Sequence, residues 1–470
     1  MSLDQVPRTR HIEWGSDVLA DRIGRWHGPA FLEGSALTGD AGRWSIFAAR
    51  PRVEMEATED RVRVRRHDRE VEERADPLAV LGGLLDEFQL GLLKQTGPPD
   101  GPPFRGGMIG FLGYDLAPRF ERLPRRSPLD SRLPDLRFSL YDTWVQFDNF
   151  TGQAELAGID LLGEGASAVE RRLAEWSEQL GTVPTEEVER TTLRAPIMSD
   201  FTRDAYLEAV DRAIEYIRAG DIFQVNLSQR FSTRGEIHPL DLRARLRRVS
   251  PAPFAGFLAW SDLAIVSASP EWFYQTRGDA IATRPIKGTR PRGETPADDA
   301  RLRRQLLASD KDRAELTMIV DLERNDLGRV CRHGTVDVRE AMVLESYAQV
   351  HHLVATVEGR LRRDVRPMDI VRATFPGGSI TGAPKIRAMQ IIDELEPHRR
   401  SAYTGAMGFF GRDGFSGFNI LIRTMLVEGD RVSYQVGGGI VADSDPAAEF
   451  DETLHKGRGI REVLLGGGVP

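Results

Sequence analysis

Apolar residues recur at helical spacing at Tyr206, Val210, Ile214 and Ile217, and Gly220 ends the run, which predicts a helix with one buried face. A two-residue alternation takes over at once. In Ile222-Phe-Gln-Val-Asn-Leu-Ser-Gln229, Phe223, Val225 and Leu227 fall on one face of a strand, and Gln224, Asn226 and Ser228 on the other. That polar row is either a solvent-facing edge or a functional face. Further patterns predict strands at 264–268, 281–285, 405–411, 416–427 and 431–441, and helices at 296–308, 310–325, 367–373, 383–395 and 446–464. Strands joined by turns as short as Glu428-Gly-Asp430 pair antiparallel, so an α+β fold with helices packed on antiparallel sheet is expected.

Upstream, residues 10 to 160 read as short strands broken by proline and glycine. Examples are Arg43-Trp-Ser-Ile-Phe-Ala-Ala49, Thr96-Gly-Pro-Pro-Asp-Gly-Pro-Pro103 and Gly106-Gly-Met-Ile-Gly-Phe-Leu-Gly-Tyr114. Residues 166–180 read as a polar surface helix. The charged, proline-containing stretch 182–200 is the expected linker, dividing the chain into an N-terminal unit, 1–181, and a C-terminal unit, 201–464.

Composition narrows the function. With 40% hydrophobic and 29% charged residues among 470, the chain is an ordinary globular one rather than disordered or fibrous. The balance of 63 basic and 71 acidic residues, a net charge of −8, argues against a general nucleic-acid binder. A single cysteine, Cys331, excludes an intrachain disulfide and a one-chain cysteine metal cluster, and it suits a reducing compartment. No run approaches the ~20 apolar residues a bilayer requires, so the expectation is a soluble cytoplasmic protein without membrane contact. Only five of the basic residues are lysines: Lys94, Lys287, Lys311, Lys385 and Lys456. Either codon drift explains this scarcity, or lysine is kept where a compact or deprotonatable amine is needed.

Two acidic pairs stand out. Asp312 and Glu315, and Glu449 and Glu452, are each three residues apart on a predicted helix, so each pair shares a face. Asp445 followed by Pro446 reads as an N-cap and first helical position, which places Glu449 and Glu452 where the helix dipole already favours negative charge. Facing each other, the two pairs would also supply hard oxygen ligands for Mg²⁺; zinc is disfavoured because no histidines accompany them. Lys456, one turn beyond Glu452, could hold an anion beside such a metal. The glycine runs Gly377-Gly-Ser-Ile-Thr-Gly-Ala-Pro-Lys385 and Gly437-Gly-Gly-Ile440 are tight turns or backbone anion cradles, and the first lacks the Gly-Lys-Ser/Thr ending of a P-loop. In the cationic loop Arg284-Pro-Ile-Lys-Gly-Thr-Arg-Pro-Arg-Gly293, Lys287 sits between Ile286 and Gly288, where crowding favours the neutral, nucleophilic amine. Glu271, in Ala268-Ser-Pro-Glu-Trp-Phe273, is either a surface ion-pair partner or, if buried, a general acid.

Together these segments resemble the chorismate-utilising enzymes, the family of anthranilate synthase component I, aminodeoxychorismate synthase component I, isochorismate synthase and salicylate synthase. The resemblance is strongest over about 200–462: Arg284 to Gly293, Met318 to Arg329, Phe375 to Lys385 and Gly437 to Lys456. It is weaker upstream, at Leu32-Glu-Gly-Ser35, Gly42-Arg-Trp-Ser-Ile-Phe47 and Gly106 to Asp115.

The resemblance implies an antiparallel β-sandwich with helices outside and a site in the cleft. It implies Glu315 and Glu452 as Mg²⁺ ligands, with Asp312 and Glu449 in the acidic shell around them. Gly437, Gly438, Gly439 and Lys456 are implied at the ring carboxylate of chorismate, Tyr403 and Arg423 at the enolpyruvyl carboxylate, and His352 and Ser379 along the ring. Water-adding members carry lysine at the position of Gln224, so ammonia is the implied nucleophile.

Lysine in Pro285-Ile-Lys-Gly-Thr289, where anthranilate synthases resemble Pro-Ile-Ala-Gly-Thr, implies the aminodeoxychorismate branch, on the route to p-aminobenzoate and folate. The alternative is the anthranilate branch, which releases pyruvate. Pro251-Ala-Pro-Phe-Ala255 departs from the Pro-Ser-Pro-Tyr-Met of a feedback tryptophan pocket. Cys331, in Arg329-Val-Cys-Arg-His333, lacks the setting of a glutaminase nucleophile, so a separate glutamine amidotransferase, component II, is the implied ammonia source.

Overall fold

The computed structural model describes residues 6–35, 42–67, 69–91, 101–182, 188–347 and 350–466. The Thr96–Pro103 turn and the expected linker therefore lie partly outside the described residues.

Two large sheets of 13 and 12 strands dominate the described residues. Both cross the boundary expected at 182–200. In the first sheet Ala30–Glu33 pairs antiparallel with Phe254–Trp260, and in the second Gly107–Leu112 pairs antiparallel with Ala406–Gly411. The segments on either side of the boundary thus share their sheets and core instead of each closing one of its own. The boundary stretch itself joins the first sheet, because Thr192–Leu193 and Met198–Ser199 pair with the long strand Gln224–Glu236.

Inner faces of the two sheets meet through aromatic rings. Trp260 of the first stacks on Phe111 of the second at 5.9 Å between centroids, and Phe138, Phe410 and Phe418 pack behind, with Phe410 and Phe418 4.8 Å apart. Each such ring contributes on the order of 2–3 kcal/mol by leaving water. The outer face of the first sheet is covered by the helices Ser16–Ile23, Ala166–Thr182, Pro239–Val249 and Pro446–Leu464. Arg203–Arg218 and Lys385–Leu395 close over Val225, Leu227 and Ile440. The architecture is an α+β sandwich of antiparallel sheets with helices outside. No helix among the described residues is long and apolar enough to cross a membrane.

Two local expectations change. Phe223 does not share the buried face of Val225 and Leu227: it is 72% exposed, because the strand begins only at Gln224 and the Phe223 N–H is taken by the Ala383 carbonyl. The run expected at 416–427 is two strands, Phe415–Ile420 in the second sheet and Thr424–Glu428 in the first. The chain changes sheets between them at Arg423, which takes a left-handed φ of 51°. A non-glycine residue there costs roughly 1 kcal/mol or more, and such strain clusters at functional sites.

Candidate active site

Both acidic helices start with a side-chain cap. Ser309 Oγ accepts from the Asp312 N–H at 3.3 Å, opening Asp310–Gly328, and Asp445 accepts from the Ala448 N–H at 2.9 Å, opening Pro446–Leu464. Asp312 and Glu449 thus lie in first turns, where the positive end of the dipole favours their charge. The two helices bring their carboxylates to one cavity of about 970 Å³. It is lined by Asp312, Glu315, Glu449 and Glu452 and also by Glu271, Lys287, His352, Ser379, Tyr403, Arg423, Gly437, Gly439 and Lys456. Gln224 and Gly438 do not line it. Gln224 is 1% exposed, with its amide packed against Gly439, and it pairs in the strand with Ala383. The polar row of the Gln224–Glu236 strand is therefore buried, and Asn226 is its member at the cavity.

Lys287 lies where a β-bulge interrupts its strand. The register against Val350–Arg360 slips between Lys287 and Thr289, and the extra residue, Gly288, has φ 76°. Bulges re-aim side chains next to functional sites. Beyond it Thr289 stands opposite His352 and its Oγ1 lies 2.9 Å from His352 Nδ1. Lys287 Nζ donates to the Ser379 carbonyl at 3.2 Å. Burial lowers its pKa, opposed by the charges of Glu315 and Glu271. Glu271, 5% exposed, has the reverse shift: burial pushes it up to about 7, moderated by Ser379, by the Lys287 charge and by the Ile286 N–H at 3.4 Å. A depressed amine beside an elevated carboxyl matches a nucleophile and general-acid pair. His352 is held neutral, lowered to about 3 first by burial and then by the charge of Arg423.

Each of the four carboxylates has a polar neighbour, the loosest being Lys311, 4.0 Å from Glu315. Asp312 is held by Arg290 at 3.0 Å, and Glu449 accepts from Ser444 Oγ at 2.7 Å. Burial raises Glu315, opposed by the charges of Lys287 and Lys311, with Asp312 and Glu452 adding smaller upward pushes. Burial would raise Glu452 too, but Lys456 outweighs it and holds the carboxyl below its ordinary range. Lys456 Nζ lies 2.6 Å from Glu452 Oε1 and donates to the Gly437 carbonyl at 3.0 Å. Among the described residues no three carboxylate, imidazole or thiol groups converge into a ready-made metal cluster. The donors are nevertheless the hard oxygens Mg²⁺ takes. Bare backbone makes room for them: a Cβ on Gly438 would sit 3.1 Å from Glu449 Oε2 and 3.4 Å from Glu452 Oε1. These residues fit a divalent cation.

Arg423 makes no ion pair or side-chain hydrogen bond among the described residues, and burial lowers its pKa. A half-buried guanidinium that faces the cavity and is paired with none of its carboxylates is suited to an anionic ligand. Nearby, Arg400 stacks on the Tyr403 ring at 5.5 Å and is held by Glu396 at 2.7 Å. Its guanidinium also donates to the Ile380 and Asn226 carbonyls. Sequence reasoning missed this support, and also the role of Thr289, and it places Asn226 only in a polar row of undecided use. The lysine count could have found Lys311, which lines the cavity, and it marks Lys385 directly behind.

A second cavity of about 950 Å³ is lined by Leu32, Phe254, Ala255, Trp272 and Met407, and it contains none of the residues singled out for chemistry.

Comparison with known proteins agrees with this geometry. The family model described as chorismate binding enzyme matches residues 37–462. The chain is 45% identical over 368 residues to anthranilate synthase component 1 of Thermus thermophilus, covering 78% of this chain and 79% of that one. It is 37% identical over 427 residues to aminodeoxychorismate synthase component 1 of Bacillus subtilis, covering 90% and 89%. The crystal structure of anthranilate synthase component I from Streptococcus pneumoniae superposes with a TM-score of 0.79 at 32% identity, over 90% of this chain and 93% of that one. A cavity lined by carboxylates, by a guanidinium without an ion pair among the described residues and by an amine beside a buried acid thus sits on the fold of these relatives, and the chain belongs to the chorismate binding enzyme family.

Proposed function

We propose that the protein is an aminodeoxychorismate synthase component I, joining chorismate and ammonia to give 4-amino-4-deoxychorismate and water, on the route to p-aminobenzoate and folate. The observation that carries this reading is Lys287, an amine with a lowered pKa in the same cavity as Glu271, whose carboxyl is elevated to about 7. Lys287 Nζ attacks ring C2, the ring double bonds shift, and the C4–O bond breaks as Glu271 gives its proton to the departing hydroxyl, releasing water. Ammonia then attacks C4, the double bonds shift back, and the C2–N bond breaks to free Lys287. The excess proton on nitrogen leaves with Glu271, which is ready for the next turnover.

Tyr403 and Arg423 bind the enolpyruvyl carboxylate, while the backbone of Gly437 and Gly439 and Lys456 receive the ring carboxylate. Glu315 and Glu452, with Asp312 and Glu449 around them, hold Mg²⁺. When bound, the ion neutralises the ring carboxylate and orients the substrate. Addition of EDTA abolishes turnover and Mg²⁺ restores it; E315Q and E452Q raise the Mg²⁺ concentration needed for half-maximal rate about tenfold or more. Undiminished turnover in EDTA would refute this part of the reading.

Ammonia comes from a glutamine amidotransferase, component II, in the cytoplasm. The purified chain uses ammonium salts alone and uses glutamine only with that partner.

A second reading, anthranilate synthase component I, draws support from the 45% identity to the Thermus thermophilus protein. Product analysis separates the two. Chorismate, ammonium and Mg²⁺ give a new amino species without pyruvate in the first case, and anthranilate with pyruvate in the second.

A further inference from the structure

Behind the Lys287 loop lies a buried polar cluster that the proposed chemistry does not use. Glu323 and Asp326 project from the helix Asp310–Gly328, two to three turns beyond Glu315, and are 4% and 3% exposed. Lys385 Nζ donates to Asp326 Oδ2 at 2.5 Å and to the Thr374 carbonyl at 3.1 Å, which occupies both of those acceptors. Glu323 Oε1 is spent differently. It accepts the backbone N–H of Gly378 at 3.2 Å. The next residue is Ser379, whose carbonyl receives the one hydrogen bond that Lys287 Nζ makes among the described residues. One helix therefore carries Glu315 at the cavity and, through Glu323, grips the Gly378–Ile380 turn whose Ser379 carbonyl holds the reactive amine.

We propose that Glu323 is a positioning residue: by accepting the Gly378 N–H it fixes the Ser379 carbonyl, and that carbonyl aims Lys287 Nζ into the cavity. The inference rests on the reading of Lys287 as the reacting amine, and it names a group that never touches substrate.

Physical consequences follow from the direction of the hydrogen bond. A carbonyl acceptor favours the ammonium form of lysine, so loss of the Ser379 carbonyl lowers the pH at which Lys287 becomes neutral. The other groups facing Lys287 are Glu315, Glu271 and Glu452, which favour the ammonium, and Lys456, which opposes it. Around Glu323 stand Asp326, Lys385 and Glu271. Burial and the charge of Asp326 push the Glu323 carboxyl up. Glutamine therefore preserves both its shape and its charge state and can still accept from Gly378, whereas aspartate retracts the acceptor by one methylene and leucine removes it.

The test measures acetylation of Lys287 by acetic anhydride against pH in the substrate-free chain, read by peptide mass spectrometry. Lys311, which is exposed, serves as the internal control. E323Q is expected to titrate as the unsubstituted protein does. E323D and E323L are expected to move the Lys287 midpoint to lower pH by about half a unit or more while Lys311 stays in place. With chorismate, ammonium and Mg²⁺ the same two variants lower kcat by about tenfold or more and change KM for chorismate by less than about twofold. Should E323L fail to fold, E323D decides the matter. A Lys287 midpoint in folded E323D that coincides with the unsubstituted protein's would overturn the proposal, as would a shifted midpoint in E323Q equal to that of E323D. Failure of the Lys287 reading itself registers elsewhere, as undiminished turnover in K287A, because acetylation requires no turnover.

Discussion

K287A loses turnover of chorismate with ammonium by roughly 10³-fold or more, because it removes the atom that forms the bond to C2 and no other amine reaches the same point. Of the other cavity amines, Lys456 is engaged by Glu452 at 2.6 Å and by the Gly437 carbonyl, and Lys311 stands 4.0 Å from Glu315. Chorismate binding survives in K287A, since the carboxylate-binding groups Arg423, Tyr403 and the backbone of Gly437 and Gly439 are untouched. The loss therefore falls on kcat and leaves KM within about threefold. A second readout does not depend on rate. When the unsubstituted protein is mixed with chorismate and Mg²⁺ without ammonium and quenched in acid, intact-mass analysis finds a chorismate-minus-water adduct, and peptide mapping places it on Lys287. K287A shows no adduct. Retained activity in K287A with anthranilate as product would move the protein to the other branch of its family.

E271Q separates activity from stability, and the two effects have opposite signs. Without the general acid, turnover falls roughly 10²–10⁴-fold. The carboxyl of Glu271 is raised from 4.5 to about 7 by burial. Between those pH values the folded protein binds a proton there that the unfolded chain has lost, so stability falls as pH rises through this window and the cost is complete above about 7. From the size of the shift, that cost is about 3 kcal/mol. Glutamine carries no charge at any pH. E271Q is therefore more stable than the unsubstituted protein at pH 8 by up to about 3 kcal/mol, and the difference vanishes at pH 4. Urea unfolding at the two pH values measures it. A variant equally stable at both would show that Glu271 is not kept protonated by its surroundings.

The same pair shapes the pH dependence of the reaction. Lys287 must be neutral to attack, which makes the rate rise with pH, and Glu271 must be protonated to release water, which makes it fall above about 7. E271Q loses the alkaline limb and keeps the acidic one.

Much of the site was legible in the chain because its chemistry uses local signals. Acidic residues three apart on capped helices announce a charged face, and Asp445 before Pro446 located the helix start at the residue where it occurs. Scarce lysine was a further signal: Lys287, Lys311 and Lys456 line the cavity and Lys385 pairs with Asp326 behind it. Glu323 falls within the Met318 to Arg329 motif, but no local pattern gave it a role, since a glutamate in an amphipathic helix is ordinarily a surface residue; its partner, the Gly378 N–H, arrives from a turn 55 residues away.

What the sequence determined by itself is the set of elements and the kind of chemistry they carry, because helical and strand periods, caps and turn residues act over a few positions. Only the tertiary structure brought strands from either side of 182–200 into the same two sheets, since hydrogen bonds between strands far apart in the chain leave no trace in local pattern. It alone broke the 416–427 run at Arg423, where the chain crosses from one sheet to the other. It also decided the protonation of the reacting pair. Lys287 and Glu271 have ordinary affinities for protons in water, and the desolvation that drives them toward each other exists only once the two sheets and the two acidic helices have closed around the cavity.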